Sequence, residues 1–170
     1  MADAVGLENV TLAQLASELG VRAPSLYAHV GGLEDLRRRI GARGANELAA
    51  VMAEATIGRA GDDALAALAH AYRDYASAHP GSYAAAQLAR ELRTDPAAAQ
   101  ASARATDVAL AVLRGYGLEG EAAIHAARIL RVTLHGFVTL EASGGFAIEL
   151  SLDETFERVI AALHASLRAL

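Results

Sequence analysis

Apolar positions recur along this chain at three- and four-residue spacings almost without interruption, the period of one face of an α-helix. Leu12, Leu15, Ala16 and Leu19 make one such face on a short helix. Thr11 before it and Gln14 have the spacing of a capping box, in which each side chain satisfies a backbone N–H of the other, and Val10 is placed to staple onto Leu15. Gly20 closes the helix, because glycine takes the positive φ of the C′ position. Ala23-Pro24 opens a second short helix with proline at the first helical position, and Leu26 and Val30 share one of its sides. Gly31-Gly32 breaks it. A long helix is expected over residues 33–55, with Leu36, Ile40, Leu48 and Val51 among its apolar positions. After a linker at 58–61, Asp62 is expected to cap a helix running to about His79, and Pro80-Gly81 separates it from another over residues 82–92. Asp95-Pro96 starts a helix ending near Gly115, a long amphipathic one covers 121–142, and Gly144-Gly145 stops it. Ser151 and Glu154 form a second capping box that opens the last helix. Residues 146–150 alone look strand-like and are too short to seed a sheet. The pattern predicts an all-α protein of about eight helices.

Composition agrees. The chain is 54% hydrophobic but only 5% aromatic, with much of the apolar share in alanine, the best helix former. With no cysteine there are no disulfides and no thiolate metal sites. No apolar run approaches the ~20 residues that span a bilayer, and no signal segment leads the chain, so a soluble, cytoplasmic protein with no membrane partner is expected. The net charge of −5 argues at first against nucleic acid. Its distribution removes the objection: residues 1–44 hold five Arg and five acids, while residues 45–170 hold ten Arg and fifteen acids. The acidic excess belongs wholly to the later part.

The segment from Thr11 to Val30 has the requirements of a helix-turn-helix: a small residue where the helices cross (Ala16), a turn residue tolerant of positive φ (Gly20), and apolar anchors around the turn (Leu15, Leu19, Val21 and Leu26). The stretch "VTLAQLASELGVRAPSLYAHVGGLEDL" resembles the DNA-binding signature of the TetR (tetracycline-repressor-like) family, above all in "LGVxxxxLYxHF". "LHGFVTLEASGGF", residues 134–146, is similar to the "WHG" motif of one C-terminal domain type in that family, with Leu134 in place of Trp. Helix order and length are similar over the remainder.

The resemblance implies a helix-turn-helix head at 1–45, a ligand-binding and dimerising helical body at 46–170, and a repressor released from its operator by a small-molecule effector. No cofactor and no catalysis are implied. The recognition helix would present Arg22, Ala23, Pro24, Ser25, Tyr27 and His29 to the major groove, and Thr11 would meet phosphate. Tyr27 and His29 would position the helix on phosphates, and Arg22 suits a guanine edge, since guanidinium pairs bidentately with O6 and N7. Tyr27 packed between helices and Arg22 as a solvated residue are the plain alternatives. The family's lysine after the recognition helix is missing, for Gly31-Gly32-Leu33 stands there; Arg37, Arg38 and Arg39 follow, although three consecutive residues span too much of a helix for all to face DNA. The family's first helix is also nearly absent before Gly6. Two helices alone leave Leu12, Leu15 and Leu26 partly uncovered, each worth ~1.5–3 kcal/mol when buried, so we expect an internal start or a truncation.

In the body, the resemblance implies an effector pocket among the middle helices, and the candidate contacts are Tyr72, Tyr75, His79, Tyr83, Gln87, Val112, Tyr116, Arg128 and His135. Leu65, Leu68, Tyr72, Tyr75 and His79 are expected on one inward side. Ile124, Arg128, Arg131, His135 and Val138 form a stripe that would bind an anion, make ion pairs across a dimer, or face water. The last two helices, 121–142 and 152–169, would pair with their mates as a homodimer. A helical dimer that binds a small molecule or protein, with a non-functional head, is the alternative function. Gly115 to Gly120 matches G-x-G-x-x-G, but with no strand before it the segment reads as a turn between helices. Glu121/His125 and His70/Asp74 are i, i+4 pairs without a third metal ligand, and no G-x-S-x-G occurs.

Overall fold

The computed structural model describes residues 1–88 and 96–170. Among these residues there are nine α-helices and no strand: α1 (Ala2–Val5), α2 (Leu12–Glu18), α3 (Ala23–Leu26), α4 (Leu33–Thr56), α5 (Gly61–Ala78), α6 (Pro80–Gln87), α7 (Pro96–Arg114), α8 (Gly120–Ala142) and α9 (Leu152–Arg168), with one 3₁₀ turn at Leu7–Asn9. None of the described helices is long and apolar enough to cross a membrane.

The local signals act as chemistry requires. Gln14 N–H donates to Thr11 Oγ1 at 3.2 Å, and Thr11 N–H donates back to Gln14 Oε1 at 3.1 Å, closing the capping box. At the other end of α2, Gly20 lies at φ +65° with open space around its missing Cβ. Val21 N–H reaches Ala16 C=O at 3.0 Å and Gly20 N–H reaches Ser17 C=O at 3.2 Å, the paired bonds of a Schellman ending. Ser151 caps α9 by accepting from Glu154 N–H.

Several expectations need correction. Ala60, not Asp62, is the N-cap of α5, and Asp62 sits in its first turn. Arg22 is the N-cap of α3, so Pro24 is its second residue rather than its first. Pro80 starts α6 two residues early because its fixed φ suits a first turn; residues 89–92 of that expected helix, and Asp95, lie outside the described residues. As expected, residues 146–150 form no strand, since no neighbouring strand exists among the described residues to pair with their backbone. Also as expected, the Gly115 to Gly120 segment turns the chain from α7 into α8, which begins at Gly120.

The body core is built from α4, α5, α7, α8 and α9. Leu65, Leu68, Leu113, Leu134, Phe156 and Leu167 are its largest sealed side chains. Arg73 of α5 ties two other helices to it: Nε donates to Glu141 Oε2 at 3.0 Å on α8, and Nη1 pairs with Asp153 at 2.8 Å on α9. The guanidinium lies over the rings of Phe137 and Phe156, and the Glu141 hydrogen bond above all pushes its pKa up.

The head joins this body through α6. A Cβ on Gly81 would stand 2.3 Å from the Ala2 backbone, and one on Gly44 would stand 2.4 Å from the Ser82 carbonyl oxygen. Glycine therefore lets α1, α6 and α4 stack at backbone contact. Asp3 completes the joint by accepting from Ser82 N–H at 2.8 Å and lying 3.6 Å from His79. Burial alone would raise the Asp3 pKa; the bonds from Ser82 and His79 outweigh it and hold the carboxyl below its usual value.

Candidate functional site

Two places in the molecule have the form of a site. The first is the outward side of α3 and the turn after it. Arg22, Pro24, Ser25, Tyr27 and His29 are exposed there and Ala23 is half-buried, while Ala16 and Leu26 behind them are buried. Thr11 is exposed too, but its hydroxyl donates to Gln14 Oε1 at 2.8 Å, so hydroxyl and backbone N–H are both turned toward Gln14. The turn is less well covered than its sequence suggests. Leu19 is 59% exposed and Val21 45%, so neither is a buried anchor; Leu12 and Leu15 are half-buried, and Leu26 alone of the expected anchors is sealed.

The three consecutive arginines are turned to the head itself. Arg37 donates to the Glu8 carbonyl at 3.3 Å, Arg38 bonds Asp35, and Arg39 pairs with Asp35 at 3.0 Å. Asp35 also accepts from Gly31 N–H at 2.9 Å, which fixes the double-glycine break; that backbone bond first, and then the arginines, keep its carboxyl below the usual range.

The second site is a cavity of about 110 Å³ walled by five helices. Leu48 and Met52 of α4, Leu68 of α5, Ala109 of α7, and Leu130 and Leu134 of α8 give it an apolar wall. Tyr72, Gln87, Ser102, Thr106 and Arg131 supply polar atoms. The Tyr72 hydroxyl shares a 2.8 Å hydrogen bond with Tyr83, whose hydroxyl shares one of 2.6 Å with Nδ1 of His135. This chain links α5, α6 and α8 beside the cavity. Burial drives the Tyr72 and Tyr83 pKa values up, with the positive charge of Arg131 opposing, and burial followed by the same charge drives the His135 value down. All three groups are therefore neutral near pH 7. A second hollow, about 340 Å³, lies between Asn46, Ala49 and Ala53 of α4 and Arg104 and Val108 of α7, and among the described residues has only those two helices for walls.

Of the ligand contacts expected from the sequence, Tyr72 and Gln87 line the five-helix cavity, and Tyr83 and His135 are bonded to its wall. The others lie elsewhere. Tyr75 donates to Glu47 of α4 at 3.0 Å, and His79 ends α5 in the open beside Asp3. Val112 is buried in the core. Tyr116 bonds Asp62 at 3.1 Å and His164 at 2.5 Å, at the α5–α7–α9 end. Arg128 points to solvent from α8, so the expected stripe splits: Ile124 and Arg128 face out, Arg131 and His135 flank the cavity, and Val138 is buried. At about 100° per residue the five positions stay within about 80° of arc, so rotation does not divide them; the split follows their place along α8, open at Ile124 and Arg128 and covered at Val138. Sequence reasoning missed Leu48, Met52, Thr106, Leu130 and Leu134 as lining. Their i, i+4 spacing was visible, but a cavity-facing pair and a core-facing pair have the same period. His70 packs edge-on to Phe156 and lies 3.1 Å from Glu157, and no group of three metal-ligating side chains gathers among the described residues.

Fold and site together define a class, a helix-turn-helix head carried on an all-helical body with an internal cavity. Comparison with known proteins gives the family. Residues 65–163 match the model of the "Tetracyclin repressor-like, C-terminal domain". The chain is 39% identical over 97% of its length, and 75% of the relative's, to an HTH-type transcriptional regulator of Mycobacterium tuberculosis. It is 40% identical to the HTH-type transcriptional regulator YobS of Bacillus subtilis, over 91% of this chain and 80% of that one. Among solved structures, the TetR family transcriptional regulator PfmR from Thermus thermophilus superposes with a TM-score of 0.70 at 18% identity, covering 96% of this chain and 92% of that chain. The chain belongs to the TetR family of DNA-binding transcriptional regulators.

Proposed function

We propose that this regulator is a cytoplasmic dimeric repressor, not an enzyme, that a small-molecule effector releases from operator DNA. The head (1–45) and the body (46–170) share α4, which runs through the boundary between them. The observation that carries the reading is the shared exposure of Arg22, Ser25, Tyr27 and His29 in front of buried Ala16 and Leu26. Arg22 reads a guanine edge, Ala23, Pro24 and Ser25 lie along the groove floor, and Tyr27, His29 and Thr11 hold phosphates. Thr11 does so by giving up its hydroxyl bond to Gln14. The dimer forms through α8 and α9, whose outward faces carry Ile129, Val132 (72% exposed) and Leu140, and Ala161, Ala162 and Ala165. It places two recognition helices on half-sites spaced by about whole helical turns.

The effector occupies the five-helix cavity. Helix α6 touches it with Gln87 at one end and meets Asp3 and Ala2 of the head at the other. An effector that favours a different placing of α6 moves the heads and weakens DNA binding by the same linkage free energy with which DNA weakens its own binding.

The test is a mobility-shift titration with DNA from upstream of the chain's own gene at fixed salt, because phosphate contacts are salt-sensitive. Arg22→Ala and Tyr27→Ala are each expected to weaken binding roughly tenfold or more while sedimentation still shows a dimer. Unchanged binding in both variants contradicts the reading. A helical dimer that binds a small molecule or protein but no DNA is the second reading, supported by the open apolar side chains of Leu19 and Val21. An intact dimer that shifts no DNA selects it.

A further inference from the structure

We propose that the five-helix cavity takes a compact organic carboxylate, with its anionic group between Arg131 and Gln87 and its ring or short chain among Leu48, Met52, Leu130 and Leu134. This rests on reading the cavity as the effector site and adds the chemistry of the effector.

Among the described residues, Arg131 is the sole charged one in the lining. Its one hydrogen bond among the described residues is to the neutral amide oxygen of Gln87, at 3.3 Å, and no described carboxylate pairs with it. Three other arginines of the body are neutralised, Arg73 by Glu141 and Asp153, Arg158 by Glu154, and Arg168 by Asp62, whereas Arg128 and Arg114, like Arg131, have no described carboxylate partner but do not line the cavity. Arg131 stands exposed at the rim. An occupant seated against it excludes solvent from that side. A neutral occupant leaves a partly desolvated cation without acceptors, which is costly, and a cationic one adds repulsion; an anion replaces the lost hydrogen bonds with stronger, charge-assisted ones.

The donors suit a carboxylate. Guanidinium offers a planar fork, and Gln87, whose oxygen already accepts from Arg131, keeps its amide nitrogen as a further donor. Away from that pair, the Tyr72 hydroxyl is bonded to Tyr83 and the exposed Thr106 hydroxyl donates to the Ser102 carbonyl at 2.9 Å, while the buried wall of Leu48, Met52, Leu68, Leu130 and Leu134 asks for hydrocarbon. The volume of about 110 Å³ is below the ~150 Å³ of a cavity that takes benzene, which limits the buried part to one ring or a short chain, with the head group at the rim.

The chain has two methionines, Met1 and Met52, and Met52 lines the cavity, so [methyl-¹³C]methionine labelling gives an NMR signal that reports occupancy, assigned with Met52→Leu. The probes are benzoate and hexanoate, their amides, and the neutral pair toluene and hexan-1-ol. We expect at least one acid to shift the Met52 signal and to bind roughly tenfold or more tightly than its amide, and Arg131→Gln to erase that preference while leaving the amide's affinity in place. An amide that binds as tightly as its acid, or a preference that survives Arg131→Gln, overturns the carboxylate assignment and leaves the effector cavity standing. If the neutral probes shift Met52 and the acids do not, the same conclusion holds. If no probe shifts it, the assignment falls and the reading of the cavity as an effector site falls with it.

Discussion

Two tyrosines show how differently the head and the body of this protein use the same side chain. Tyr27, just past the recognition helix, is 63% exposed, and no side-chain partner holds its hydroxyl among the described residues. Tyr83, on α6, is 7% exposed, lies edge-on to Tyr72, and has its hydroxyl bonded on both sides by Tyr72 and His135. Burying a hydroxyl without a partner is costly, so the body supplies partners from two other helices, α5 and α8. In the head, water serves that purpose until something else replaces it. The difference separates groups that the fold has already used from groups left for a partner outside the chain.

The sharpest way to break that contrast is to cut into each region and compare stability. Phe156 is fully sealed beneath Arg73, and Phe156→Ala is expected to cost about 3–5 kcal/mol in a urea or thermal unfolding curve. Tyr27→Ala should stay within about 0.5 kcal/mol of the parent in the same experiment. A Tyr27 variant as damaged as the Phe156 one would mean that the head tyrosine is structural after all.

The joint between the regions comes next. Gly81→Ala drives a methyl into the Ala2 backbone, where nothing flexible can yield, and should cost about 1–3 kcal/mol. Amide exchange should quicken in α1 and the 3₁₀ turn more than in α5 or α8; uniform quickening would show that the head has no stability of its own to lose. Thr11→Ala removes one side of the capping box and is expected to cost about 1 kcal/mol of unfolding free energy, with its loss of DNA affinity measured separately. Stability unchanged but affinity reduced would mark Thr11 as a DNA contact rather than a cap.

The smallest effect is a pH dependence. Burial first, then Arg131, sets the His135 pKa in the folded protein below its ordinary 6.5, so the unfolded chain takes up this proton first as pH falls. The stabilising contribution of neutral His135 is therefore complete above about pH 6.5 and is lost as pH drops through the folded value. Unfolding curves across that window should show a slope that His135→Phe reduces; an unaltered slope would place the titration elsewhere.

Much of the fold could be read directly from the amino acids. The Thr11–Gln14 box, the Gly20 ending and the Gly31-Gly32 break all appear where their residues imply, because each is made within a few residues of chain. The outward polar side of the head was legible for the same reason: five of its residues lie within eight positions on one short segment. The cavity was not. Tyr72, Gln87 and Arg131 come from three helices, and the apolar pairs between them have the same spacing whether they face a void or one another. Likewise, nothing local distinguishes Tyr75, which turns to Glu47, from Tyr72 three residues earlier.

Short-range bonding and helical period therefore determined from the sequence alone which segments are helices, where most of them begin and stop, and which short helix offers free polar side chains. Packing between distant segments decided the rest: Gly44 and Gly81 admitting α6 between head and body, Arg73 gathering α5, α8 and α9, and five helices leaving a hollow beside Arg131. A helix can select its own ends because its hydrogen bonds close within four residues, whereas a cavity is the space that several helices fail to fill, and no single helix encodes it.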